Sequence, residues 1–66
     1  MSHTPEVTYL QRVGRAWVKK SKAFASDFRA TAYAYLIAED ERVAEVTVYH
    51  RYDFSGFMVP AAGDSF

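Results

Sequence analysis

The stretch Phe28 to Phe54, FRATAYAYLIAEDERVAEVTVYHRYDF, constrains this chain more than any other, because it reads as two β-strands joined by an acidic turn with one consistent face. With Asp40 and Glu41 at the loop tip and Glu39 facing Arg42, the register sets Ile37 opposite Ala44, Tyr35 opposite Val46, Tyr33 opposite Val48 and Thr31 opposite His50. Aromatic and β-branched residues then meet across the ladder, and a slip of one residue would carry the whole apolar set to solvent. The inner face of this hairpin is assigned to Tyr33, Tyr35, Ile37, Val46 and Val48, with Glu45 outside.

The N-terminal half carries helix signals. Thr4 can act as N-cap, Pro5 at the first helical position gives up an amide that would have no partner there, and Glu6 favours the positive end of the dipole. Leu10, Val13, Trp17 and Phe24 recur at helical spacing, while Gln11, Arg12, Arg15, Lys19 and Lys22 gather elsewhere. The spacing predicts an amphipathic helix from Pro5 to Ala25, in which Gly14 costs about 1 kcal/mol relative to Ala. Ser26 and Asp27 then offer a stop. After the hairpin, Asp53 to Gly56 is a turn signal, Phe57 to Val59 a short strand, and Pro60 to Gly63 a break. The fold class expected is α+β, one long N-terminal helix packed on a small antiparallel sheet, with residues 1–66 forming a single domain.

Sixty-six residues support one small core, and a chain of this size buries only about 60% of its unfolded surface. A second copy or a protein partner is the expected remedy. There is no cysteine, which removes thiolate and disulfide chemistry and fits a reducing compartment. No signal peptide or long apolar run occurs, so no membrane role and a cytoplasmic location are expected. The net charge is zero, yet residues 1–29 hold six Lys/Arg against two Asp/Glu and residues 30–66 hold two against six. Such segregation suits head-to-tail association or a helix lying on its own sheet.

His50, Tyr52 and Asp53 form the most polar cluster at the end of an otherwise apolar strand face. Imidazole titrates near neutrality, a phenol can donate to a developing oxyanion, and a carboxylate can orient the imidazole. Strand parity would put His50 and Tyr52 beside Tyr33 and Tyr35, with Trp17 of the helix closing over them. These five, Trp17, Tyr33, Tyr35, His50 and Tyr52, are the candidate ligand-binding residues. The competing reading makes His50 a strand-end residue whose ring bonds Thr31 or a backbone carbonyl, and Asp53 a turn former. A basic helix face without net positive charge or stacking aromatics argues against nucleic acid. His3 has no neighbour at metal-ligand spacing, Glu39 to Glu41 lacks the oxygens calcium needs, and no phosphate loop or nucleophile elbow occurs, so no metal or cofactor is expected.

Three strings, Ala23 to Ala30 (AFASDFRA), Leu36 to Ala44 (LIAEDERVA) and Val59 to Phe66 (VPAAGDSF), resemble the nuclear transport factor 2-like superfamily in its SnoaL-like and ketosteroid-isomerase-like branch. In that resemblance the first enters a strand after a helix, the second is a hairpin turn and the third opens a later strand. A hotdog-type thioesterase hairpin shares the V-A-E string. The superfamily's members are longer, so by this resemblance the chain looks like the middle of their cone-like fold. The resemblance implies a pocket for a flat hydrophobic small molecule and isomerase, cyclase or hydratase chemistry. It carries over no catalytic residue, because His50 in Tyr49-His50-Arg51-Tyr52-Asp53 is displaced from the branch's usual position. The alternative is a non-catalytic module for homo- or hetero-association.

Overall fold

A computed structural model describes residues 3–65. Its elements run β1 (Glu6–Val13), β2 (Ala16–Ala23), α1 (Asp27–Ile37), β3 (Val43–Tyr49), β4 (Phe57–Val59) and a single 3-10 turn (Ala62–Ser65). One four-stranded sheet has the order β2-β1-β3-β4, antiparallel throughout. The expected α+β class holds, with one helix on an antiparallel sheet, but the helix is short and mid-chain.

The N-terminal half is a β-hairpin, correcting the expectation of a long helix there. Gly14 and Arg15 form its two-residue loop between the paired Val13 and Ala16. Gly14 has φ +62° and Arg15 has no positive φ, the pattern of a type II′ turn, whose twist matches that of the flanking strands. A glycine that only weakens a helix is thus the residue that closes the hairpin. Pro5, assigned to a helix start, precedes β1 instead. It is fully buried, and its carbonyl accepts the Phe24 amide at 2.8 Å.

The segment expected as the first strand of a central hairpin is α1. Ser26 caps it, its hydroxyl accepting the Arg29 amide at 3.2 Å, and Asp27 lies in the first turn. Ala30, Ala34 and Ala38 are buried at helical spacing, with Tyr33 and Ile37 packed beside them. Alanine has the best helix propensity, and its small side chain lets α1 approach the sheet closely. The expected pairings of residues 31–37 with 44–50 do not form. Val46 faces Val59 of β4, and Val48 lies between Val7 of β1 and Phe57 of β4.

The three strings of the superfamily resemblance therefore occupy other elements. Ala23 to Ala30 links a strand to a helix, Leu36 to Ala44 ends the helix and enters β3, and the string from Val59 closes β4 and forms the 3-10 turn. Its last residue, Phe66, lies outside the described residues.

Because β1 sits between β2 and β3, the chain after the hairpin crosses over through α1 to bring β3 beside β1. Val7, Val46, Val48 and Val59 from the sheet and Ala30 and Ala34 from the helix form the fully or nearly fully buried centre. The β1–β3 register shifts between Thr8 and Leu10, where β3 carries an extra residue and Glu45 has φ +52°. This bulge keeps Val43 on the helix side with Val46 and Val48, although simple alternation would turn it away. Gly63 lies against the same strand, and a Cβ there would run into the Val43 carbonyl.

Candidate functional site

The five residues expected to line a pocket lie in separate places. Tyr33 is on the inner side of α1, its ring centroid 5.1 Å from that of Phe24 and 6.4 Å from that of Tyr9. The Lys22 ammonium stands 4.9 Å from the Tyr33 ring centre, within cation–π range. In this cluster the Tyr9 phenol is pushed up to about 12, chiefly by hydrogen bonding with Tyr33 and then by burial. Tyr35 is on the outer side of α1 and 57% exposed, and Tyr52 is 75% exposed. Trp17 lies on β2 opposite Arg12, on the sheet face turned away from α1.

His50 follows the end of β3. Its Nε2 is 2.7 Å from the Thr31 hydroxyl, and its ring meets Phe57 edge-on at 5.1 Å. The neighbourhood of residues 31 and 50, expected from a strand pairing, exists as a helix-to-strand tie. Asp53 is a turn former: its Oδ1 accepts the Ser55 amide at 3.1 Å, the Ser55 hydroxyl at 2.7 Å and the Gly56 amide at 3.2 Å. These bonds, the Ser55 hydroxyl foremost, hold its carboxyl below the usual value. With Asp53 held in its own turn and Tyr52 in solvent, His50 has neither as a hydrogen-bond partner, and these three do not form an acid–base set.

Two open surfaces remain, on opposite sides of the molecule. The first is the outer stripe of α1, where Phe28, Ala32, Tyr35 and Leu36 share one face at helical spacing, with Phe28 81% and Leu36 67% exposed. The second is the sheet face away from the helix. Register places Thr8 opposite Ser21, Leu10 opposite Lys19 and Arg12 opposite Trp17 there, continued by Ala44, Thr47 and Met58. An open cleft of about 760 Å³ runs along one end of this face, lined by Thr8, Lys19, Lys20, Ser21, Tyr49 and Phe54 among others. His3 helps wall it, its ring tilted against that of Phe54 at 4.5 Å between centroids and its amide donating to the Arg51 carbonyl at 3.0 Å.

The helical reading hid this surface, because at a 3.6-residue period Trp17 and Lys19 point apart, whereas on a strand they share a face. The alternation Val7-Tyr9-Gln11 before Gly14 was the available signal. Among the described residues no group of three or more His, Asp or Glu side chains is placed to hold a metal ion, and no helix is long and apolar enough to cross a membrane. No protein-family model, curated protein or solved structure matches the chain.

Proposed function

We propose that this chain is a non-catalytic association module that pairs with a second copy of itself through the outer stripe of α1. The observation that carries the reading is the exposure of Phe28, Tyr35 and Leu36 on one side of a helix whose other side already supplies the core. A contiguous apolar stripe on so small a domain is the usual mark of an interface. A two-fold axis near Ala32 would lay Phe28 of one copy against Leu36 of the other, and the alanine leaves room for close approach. The same antiparallel arrangement brings Arg29, at the start of the helix, toward Glu39, just past its end. Such an isologous pairing closes on itself and leaves no further stripe free.

A SnoaL-like pocket for a hydrophobic small molecule is the other reading. It requires Trp17, Tyr33, Tyr35, His50 and Tyr52 to converge, and their dispersal over both faces of the sheet and the outer side of the helix weighs against it.

Sedimentation equilibrium tests the proposal. The wild-type chain is expected to dimerise at concentrations up to about 100 μM, and Phe28→Glu with Leu36→Glu to yield a monomer with unchanged far-UV circular dichroism. A wild-type chain that stays monomeric over that range, or a dimer indifferent to the double substitution, overturns it.

A further inference from the structure

The segment Arg12 to Lys22 holds five Lys/Arg and no Asp/Glu. Every residue of β2 within it is exposed, and β2 is an edge strand. Lysines on both sides of an edge strand repel a second copy of that strand and so disfavour edge-to-edge pairing. They attract a polyanion.

The sheet face away from α1 adds what a charged surface alone lacks. Trp17 and Lys19 project on the same side of β2, across from Arg12 and Leu10. The cleft at the other end of that face combines the Lys19 side chain with the hydroxyls of Thr8 and Ser21 and the rings of Tyr49 and Phe54. Cations and hydroxyls suit phosphate and sugar oxygens, and aromatic rings on an open sheet are platforms for unstacked bases. We infer that this face binds single-stranded nucleic acid, with Lys19 and Arg12 tracking the phosphates and Trp17 and Tyr49 stacking bases.

A duplex fits less well. Four strands at a spacing of about 4.8 Å make a surface roughly 15 Å across, too wide for a major groove of about 12 Å. Glu6 also lines the cleft and Glu45 lies at the edge of the face, and both oppose the backbone charge. The surface lies across the sheet from the helix stripe, so it stays free whether or not the chain dimerises.

The test is fluorescence anisotropy of the full chain with labelled twelve-base thymidine and uridine oligonucleotides, a duplex of the same length and a polyglutamate peptide. Emission from Trp17, the single tryptophan, is recorded alongside. The single strands are expected to bind best and to quench Trp17. For two phosphate contacts, their affinity should fall roughly 7-fold between about 50 and 200 mM salt. Lys19→Gln with Arg12→Gln should flatten that salt dependence, and Glu6→Gln should tighten binding. Trp17→Ala should weaken binding roughly tenfold while Trp17→Phe retains most of it. The inference is overturned if no oligonucleotide binds at low salt, if polyglutamate or the duplex binds as tightly as the single strands, or if binding ignores both the Trp17 and the Lys19 with Arg12 substitutions.

Discussion

Asp64 clamps the bulge at Glu45: its Oδ1 accepts the Glu45 amide at 2.8 Å, while its Oδ2 accepts the Ala61 amide at 3.0 Å. The bulge puts a non-glycine residue at φ +52°, a conformation that costs roughly 1 kcal/mol or more for an L-residue. The carboxylate offsets that cost by satisfying an amide the bulge takes out of the ladder. Asp64→Ala is expected to lose about 1–2 kcal/mol in urea unfolding. Glu45→Gly should be at least as stable as wild type, and Glu45→Val clearly less so.

Val46 is fully buried against both α1 and β4. Val46→Asp would bury a carboxylate with no partner in a domain that has only a few kcal/mol to lose. The expected outcome is an unfolded chain by far-UV circular dichroism and amide NMR dispersion. Retention of a native spectrum would contradict the packing described for β3.

Thr31 and His50 tie α1 to the end of β3. In a double-mutant cycle of Thr31→Val and His50→Phe, the coupling should be about 0.5–1.5 kcal/mol. A coupling near zero would mean that the contact contributes nothing to stability.

The Tyr9 phenol should ionise well above the usual tyrosine range. Its folded value near 12 lies above the unfolded one near 10, so the proton is held more tightly in the folded state. The associated stability is complete below pH 10 and fades as pH rises toward 12. A phenolate absorbance titration should show one late step in the wild type that moves down in Tyr33→Phe.

The parts of the fold legible in the sequence lie where pattern and burial agree. Val46 and Val48 inside with Glu45 outside, the turn at Asp53, the strand at Phe57–Val59 and a boundary at Ser26 are all present. The helix and the hairpin exchanged places for definable reasons. Leu10, Val13 and Trp17 match a helical period by coincidence, and the loop glycine falls inside that match. In α1 the outer face bears Phe28, Tyr35 and Leu36, so it has little polar contrast with the inner face, and Tyr33, Tyr35 and Ile37 imitate a strand's alternation. The bulge conceals Val43 by shifting its phase. The candidate site was less legible still, since Lys19, Ser21 and Trp17 share a face only once β2 is recognised as a strand.

The placement of β1 between β2 and β3 also dictates an order of assembly. The β1–β2 hairpin can close by local contacts as soon as residue 23 is available, and α1 can nucleate on its own cap. Neither has a core until β3 arrives, because Val46, Val48 and Val59 all come from the chain beyond the helix. Docking β3 on β1 closes a loop of some thirty residues, and that entropic toll precedes nearly all of the apolar burial. A nascent chain halted after α1 would therefore display Tyr9, Phe24 and Tyr33 to its surroundings, and its fate would rest on how promptly the last third of the polypeptide follows.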